Sequence, residues 1–266
     1  MKKWIYALGT AGLLIACATS PTGRQQLILF NDTEVAQLGL TSFEQMKKEE
    51  KISTDKPMTR YVQCVADAIV REIPAGYQQS AAQWQVVLFA SDEINAFALP
   101  GGRIGVYTGL FKAVKDQDQL AAVLGHEVSH VLARHSNERL SQGQLANLGM
   151  AAADVALSDS SVREPAMAAL GLGAQVGVLL PYSRIQESEA DVLGLQLMAS
   201  AGFNPQKAVN LWQNMAAASK GKKPPELLST HPSDQSRIKE IESQLAVVMP
   251  IYEKAREIGR KPRCQN

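Results

Sequence analysis

The sequence predicts an α+β protein that is mostly helical, with a small sheet early in the chain. Two observations support this fold class. Short runs rich in Val, Leu and Phe lie between residues 84 and 107, as expected for strands. Most of the chain after Leu110 instead has helical periodicity. No repeat with a period of about 20 to 50 residues is present, which excludes a solenoid.

The composition is that of an ordinary globular protein. The chain has 266 residues, of which 45% are hydrophobic and 20% charged, so it can bury a sizeable core and is not a disordered protein. Lys and Arg number 27 against 26 Asp and Glu, a formal net charge of +1. This balance lacks the basic footprint of a nucleic-acid-binding protein, and we expect no nucleic-acid partner.

The first 16 residues have the features of a bacterial export signal. Lys2 and Lys3 precede an apolar run over 4–15, which is shorter than the roughly 20 residues that cross a bilayer. The run ends in Leu14-Ile15-Ala16-Cys17, which resembles a lipobox, where cleavage leaves a lipid-modified cysteine at the mature N-terminus. The alternative is a plain secretory signal with an incidental cysteine.

The lipobox divides the chain into a signal peptide over 1–16, a lipidated N-terminus and tether over 17–31, and a single domain over 32–266. Within the tether, residues 20–26 are polar. Ala18 stands where inner-membrane retention usually has Asp, so by resemblance we expect a lipid anchor in the outer membrane, on its periplasmic face. More than one acyl chain makes such an anchor stable.

The remaining elements follow in chain order. Helices are predicted over 32–52 and from Pro57 onward, where proline is acceptable in the first turn. Strands are predicted over 84–90, 94–99 and 103–107, the last two joined by a turn at Pro100-Gly101-Gly102. Between 141 and 181, two helices over 145–157 and 166–180 are expected to pack in the core and partly gate a cleft, with a hinge at 158–161. A further helix is predicted over 185–201.

The run Gly125-His126-Glu127-Val128-Ser129-His130 contains the motif HExxH. On an α-helix, His126 and His130 stand one above the other on one face, so both imidazoles can reach one zinc ion. Glu127 lies one residue round, close enough to contact a metal-activated water without ligating the metal. Apolar neighbours on both flanks predict a buried helix and oppose the alternative, a surface helix with two solvated histidines. His135, about 140° beyond His130, cannot join the same metal and is expected to be a surface or capping histidine near the helix C-terminus.

A catalytic zinc usually has three protein ligands, so a third is needed. The best candidate is Glu187 in Glu187-Ser188-Glu189-Ala190-Asp191. Asp191 shares its helical face and would accept the second ring N–H of a ligating histidine. Glu189 points away and is expected in solvent. Carboxylates are common on helix surfaces, so this pair alone is a weak signal.

HExxH followed 57 residues later by ExxAD resembles the zinc metallopeptidase family that includes the CAAX prenyl endopeptidase, HtpX and BepA. Two more stretches are similar to that family, at 95–102 and 230–233, and the likeness covers about 86–241. The resemblance implies a gluzincin-type zincin with the small antiparallel or mixed sheet beside the active-site helix, and one Zn²⁺ per chain held by His126, His130 and Glu187. We expect a compact, lipid-anchored periplasmic member without the repeat module of BepA.

The resemblance also implies where a substrate binds. An extended peptide would pair with the strand that contains Asn95, Ala96 and Phe97; the alternative is a hairpin arm that only packs. His231 is a candidate for a second catalytic role, as an oxyanion donor or as a resting occupant of the open zinc position, against the alternative of a plain loop histidine. Glu127 would be the general base and later the proton donor.

These expectations predict a zinc-dependent endopeptidase acting on unfolded or misassembled periplasmic or outer-membrane proteins, in envelope quality control. The alternative is a non-proteolytic chaperone or assembly lipoprotein, although binding alone does not require Glu127. After Cys17 is lipidated, Cys64 and Cys264 remain, and an oxidising compartment favours a disulfide between them. One buried thiol and one free tail thiol is the alternative.

Overall fold

Helices pack against a three-stranded sheet in this computed structural model, which describes residues 17–80, 83–158, 163–174, 180–218, 227, 231 and 235–264. The predicted signal peptide lies outside the described residues. The predicted α+β class, mostly helical, is confirmed. The elements are β1 Cys17–Thr19, β2 Gln25–Leu27, α1 Asp32–Glu49, α2 Lys56–Val70, β3 Gln85–Phe89, β4 Ala96–Leu99, β5 Arg103–Tyr107, α3 Gln117–Leu132, α4 His135–Ala156, α5 Arg163–Ala174, α6 Leu180–Ser200, α7 Gln206–Ala218 and α8 Gln235–Glu257, with short 3₁₀ helices at Ala75–Ser80 and Thr108–Lys112.

The sheet is mixed and has β5 at its centre. β3 pairs with β5 in parallel, and β4 pairs with β5 antiparallel, in the order β3-β5-β4. Gly101 and Gly102 both have positive φ, 86° and 76°, which explains why two glycines connect β4 to β5. β4 is therefore an edge strand, beside α3.

The helix with the HExxH motif is the central element of the core. Asp116 caps the N-terminus of α3 by accepting a hydrogen bond from the Gln119 backbone N–H. Almost every residue of α3 is buried, as the apolar flanks predict. α6 crosses α3 where each helix has a glycine. A Cβ on Gly194 would lie 2.8 Å from the backbone nitrogen of His126, so no larger residue fits at this crossing. This close approach brings the two helices of the metal motifs together.

The segment over 17–31, predicted to be a tether, contains a β-hairpin. β1 and β2 pair antiparallel, and the hairpin packs against the start of α4, where Leu29 donates its backbone N–H to Ser141 Oγ. Ser20 and Gln26 are buried. The polar residues that suggest a tether are instead paired with buried polar groups of the domain.

The helices α4 and α5 are less buried than expected. Leu145, Leu148 and Val155 of α4 are 55%, 57% and 76% exposed, so the expectation that both helices pack in the core is wrong for these residues. Most of the predicted hinge at 158–161 lies outside the described residues. Among the described helices, none is both long enough and apolar enough to cross a membrane.

A disulfide joins Cys64 of α2 to Cys264 in the tail, with a Cα–Cα distance of 5.7 Å. It is the pairing that the sequence favours. The bond links two positions 200 residues apart. The C-terminal segment is thereby attached to the core beside α2.

Candidate metal centre

Four side chains converge beneath α3. His126 Nε2 lies 3.0 Å from His130 Nε2 and 3.2 Å from His231 Nδ1. Glu187 of α6 approaches all three rings: its carboxylate oxygens lie 3.3 Å from His126 Nε2, 3.4 Å from His130 Nε2 and 2.9 Å from His231 Nδ1. One ligand atom from each of the four residues lies within 4.8 Å of the others. The four are buried or nearly so.

These separations fit a metal ion. Ligands bound tetrahedrally at the zinc distances of about 2.0–2.1 Å are about 3.3 Å apart, close to the spacing found here. The chemistry of the donors agrees: His126 donates its Nδ1 proton to Asp191 Oδ1 at 2.9 Å, so Nε2 is the atom that a metal ion would bind, in place of the proton that an imidazolium carries there. Lone pairs and a carboxylate that face one another repel unless a cation lies between them.

Glu127 lies at the edge of this cluster and is not one of its ligands. Its side chain is buried, and Oε1 has no hydrogen-bond partner among the described residues. The nearest ring nitrogen, His231 Nε2, is 3.5 Å away. A buried carboxylate oxygen without a partner is costly, and its presence beside the metal ligands fits a group that acts on a substrate or a water.

Arg237 of α8 completes the centre and was missed by sequence reasoning. Its Nε and Nη2 donate to the two oxygens of Asp191 at 2.6 and 2.8 Å, and its Nη1 lies 3.1 Å from Glu187 Oε2. The guanidinium also stacks over Trp212, 3.9 Å from the ring centre. The only signal in the sequence is its position six residues after His231.

The electrostatics of the centre favour positive charge between the ligands. Burial lowers the pKa of His126, but the carboxylates of Asp191 and Glu187 outweigh it and raise that pKa to about 9. Burial raises the pKa of Glu187, but hydrogen bonds from His126 and His231 hold it far below its ordinary value. Burial raises the pKa of Glu127. The field that stabilises an imidazolium here also stabilises a metal cation.

The sequence suggests that His135 lies at the surface, but the residue is buried and only 2% exposed. Arg134 adopts a left-handed conformation with φ 57°, which ends α3 and turns the chain before α4 begins. A helical projection that continues through this break places His135 wrongly. Its Nδ1 in fact lies 2.8 Å from Nδ1 of His130, so His135 contacts a member of the cluster although it does not join the cluster.

Glu189 is not in solvent either. It is 5% exposed and accepts hydrogen bonds from Thr22 and Arg24 of the N-terminal hairpin, while His135 Nε2 lies 3.1 Å from its Oε2. The helical geometry is as predicted, since Glu189 does point away from the metal ligands. The error arises because the hairpin, more than 160 residues away in sequence, covers that face of α6.

The predicted substrate strand, β4, is an edge strand of the sheet. Tyr107 donates its backbone N–H to the Asn95 carbonyl at 3.1 Å, and the register continues through Phe97–Gly105. Ala96 and Ala98 therefore point their N–H groups away from β5, although Asn95 Oδ1 already accepts from the N–H of Ala96. The Phe97 ring packs with Phe89 and Tyr107.

A cavity of about 380 Å³ opens next to the cluster. His130 lies in its wall, together with Pro100 at the end of β4, Tyr77, and Arg134 at the break between α3 and α4. A metal-ligand candidate and the residue that follows β4 thus border one cleft.

Comparison with known proteins agrees with this geometry. The family model described as "Peptidase family M48" matches residues 58–245. The mitochondrial metalloendopeptidase OMA1 of Schizosaccharomyces pombe is 37% identical over 197 residues, which cover 71% of this chain and 53% of that protein. The OMA1 metalloendopeptidase of Danio rerio is 33% identical over 261 residues, 91% and 54% of the two chains.

A bacterial relative is similar as well. The beta-barrel assembly-enhancing protease of Yersinia pestis is 31% identical over 226 residues, which cover 82% of this chain and 45% of that protein. This chain spans about half the length of these relatives.

Proposed function

This chain belongs to peptidase family M48, and from that premise we propose that it is a zinc-dependent endopeptidase. The observation that carries the proposal is the cluster of His126, His130 and Glu187 with the carboxylate of Glu127 beside it, whose Oε1 has no hydrogen-bond partner among the described residues. A binding protein needs neither a buried set of metal ligands nor a buried carboxylate next to them. A hydrolase needs both.

The residues have separate tasks in this proposal. His126, His130 and Glu187 would hold the zinc ion, which when bound activates water and polarises the scissile carbonyl as a Lewis acid. Glu127 takes the proton of the attacking water and delivers it to the leaving amine. The buried position of Glu127 beside the cluster suits the role of general base.

We infer that His231 is the resting occupant of the open zinc position, one of the three alternatives that the sequence leaves open. Its Nδ1 lies within 3.2 Å of both His126 and Glu187, so it occupies the fourth side of the cluster. Arg237 Nη1 is 3.4 Å from the His231 carbonyl and also contacts Glu187. In this proposal His231 leaves the cluster when a substrate binds, and His231→Ala raises peptide hydrolysis at low substrate concentration.

An extended peptide would bind along β4. The strand is an edge, and its outward N–H groups are those of Ala96 and Ala98, so a peptide can add a fourth strand through backbone hydrogen bonds. Ala98→Pro removes an outward donor and leaves the ladder to β5 intact, because the Ala98 N–H does not point to β5. We expect KM to rise and zinc content to stay unchanged. Unchanged KM would contradict binding along β4.

The proposed substrates are unfolded or misassembled proteins of the bacterial envelope, and the proposed location is the periplasmic face of the outer membrane through lipid on Cys17. The lipobox supports the anchor, and the name of the Yersinia pestis relative supports an envelope role. Cys17→Ser should move the protein from membrane pellets to the soluble periplasm. Continued pelleting after a carbonate wash would contradict the anchor.

Glu127→Gln tests the enzymatic proposal against a non-proteolytic chaperone. The substitution removes the base and no ligand, so zinc content should stay at one per chain while cleavage of unfolded casein falls by several orders of magnitude. Zinc is measured by atomic absorption and cleavage by gel. If wild type binds unfolded protein but never cleaves it with zinc bound, the chaperone is the better description.

A further inference from the structure

A chain of buried polar contacts connects the N-terminal hairpin with the metal centre. His130 Nδ1 lies 2.8 Å from His135 Nδ1, and His135 Nε2 lies 3.1 Å from Glu189 Oε2. Arg24 then donates to Glu189 Oε2 from Nε at 2.9 Å and from Nη2 at 2.8 Å. The four residues come from α3, α4, α6 and the loop between β1 and β2. No two of them are neighbours in sequence.

Hydrogen-bond chemistry gives this chain a direction. An ionised Glu189 only accepts hydrogen bonds, so the proton of a neutral His135 is on Nε2 and its Nδ1 is an acceptor. His130 must then donate from Nδ1. That leaves the lone pair of His130 on Nε2, the atom that faces the metal cluster. The tautomer of a metal-ligand candidate is therefore set by a carboxylate two hydrogen bonds away.

Arg24 also holds a second buried carboxylate. Its Nη1 and Nη2 donate to the two oxygens of Glu138 at 2.6 and 2.8 Å, and Glu138 is 0% exposed. Gln26 of the same hairpin donates to Glu138 at 3.2 Å, and Thr22 donates to Glu189 at 2.5 Å. One guanidinium thus bridges two buried carboxylates. If it were removed, both carboxylates would lose the cation that they share and that compensates their buried charge.

We propose that Arg24 is a positioning residue for the metal centre: by fixing Glu189 it orients His135, and through His135 the imidazole of His130. This inference rests on the zinc centre proposed above. The other histidine of the motif needs no such relay, because His126 donates directly to Asp191. His130 depends instead on the segment that follows Cys17. Hairpin docking and zinc binding are linked as a result, and each strengthens the other.

The experiment measures zinc affinity by competition with a chromogenic chelator, and the d–d absorption bands of the Co²⁺-substituted protein, for wild type, Arg24→Ala and Arg24→Lys. We expect Arg24→Ala to weaken zinc binding and to shift the cobalt bands. The upper limit is the loss of about 10- to 100-fold that follows removal of a direct hydrogen-bond partner of a ligand, because Arg24 acts on His130 through Glu189 and His135. The zinc affinity of Arg24→Lys should lie between those of wild type and Arg24→Ala, because an ammonium cannot bridge two carboxylates in the same fork geometry.

Arg260→Ala is the matched control. It breaks another arginine–glutamate pair, with Glu72 at 2.7 Å, that contacts none of the cluster residues. Its zinc affinity and cobalt spectrum should equal those of wild type.

A double-mutant cycle separates positioning from general destabilisation. His135→Phe breaks the relay between Glu189 and His130, so adding Arg24→Ala should then change zinc affinity by less than about twofold, the tolerance of independent sites. A merely structural Arg24 would produce the same loss in both backgrounds, and that result would overturn the proposal.

A zinc affinity of Arg24→Ala equal to that of wild type would also overturn the proposal. If the alanine variant does not fold, the same comparison is made with Arg24→Lys. Wild-type protein that binds no zinc would instead overturn the proposed function.

Discussion

Glu187 and Glu189 are two residues apart on α6 and face different partners. Glu187 lies among three histidine rings, and hydrogen bonds from two of them keep its pKa well below the ordinary value despite burial. Glu189 meets the N-terminal hairpin on the other side. Burial raises the pKa of Glu189, but hydrogen bonds from His135, Thr22 and Arg24 lower it well below the ordinary value and keep the carboxylate ionised. Both are buried carboxylates, but only the first contacts the candidate ligands directly.

Glu187→Ala should abolish stoichiometric zinc binding, because it removes a ligand and leaves His231 and Arg237 without a shared carboxylate. The measurement is zinc content of the purified protein by atomic absorption. Glu242→Ala is a suitable control, since Glu242 is exposed on α8; such substitutions change stability by less than about 0.5 kcal/mol. Glu187→Ala that retains one zinc per chain would show that the third ligand is misassigned.

At the scale of elements, the crossing of α3 and α6 sets the distance between the two metal motifs. Gly125 and Gly194 face each other, and a Cβ on Gly125 would lie 2.9 Å from the Gly194 carbonyl oxygen. Only glycine allows the two backbones to approach this closely. The crossing lies one residue from His126, so any separation of the helices moves one motif away from the other.

Gly194→Ala should therefore destabilise the protein by about 1–3 kcal/mol, the usual cost of overpacking, and should weaken zinc binding as well. Gly149→Ala on α4 is the comparison, because a Cβ there meets nothing within 4 Å. That variant should be more stable by up to about 0.5–1 kcal/mol through its higher helix propensity. Urea unfolding measures both. Equal stability of Gly194→Ala and wild type would mean that the helices can separate without cost.

At the scale of the whole molecule, the segments at both ends of the described chain are attached to the helices of the domain. The N-terminal hairpin packs on α4 and α6, and the disulfide attaches the tail to α2. Cys264 also donates its backbone N–H to Gln117 at the start of α3. Both terminal segments thus contact the helices that surround the metal centre.

Removing the disulfide should lower stability by about 2–5 kcal/mol, as expected when a cross-link over a long loop is lost. The test compares urea unfolding of wild type with and without dithiothreitol, and of the Cys64→Ala/Cys264→Ala variant. Reductant should shift the wild-type midpoint and leave that of the variant unchanged. Coincident wild-type transitions in both conditions would contradict a stabilising role.

The sequence by itself determined the features that depend on local geometry. Two histidines four residues apart share a face on any α-helix, so the predicted pair follows from HExxH alone. Glu187 and Asp191 share a face for the same reason, and Asp191 indeed lies against His126. The strands and the turn at Gly101-Gly102 are also local, since alternating apolar residues and positive φ leave clear signals.

Only the tertiary structure decided which residues from distant parts of the chain meet. Arg24, His135 and Arg237 have ordinary sequence surroundings, and each acquires its place by packing against residues on other elements. A helical projection gives the direction in which Glu189 points but not what covers it. Such contacts depend on how helices cross and where a segment such as the hairpin docks, because burial of a charged group is favourable only when a distant partner satisfies it.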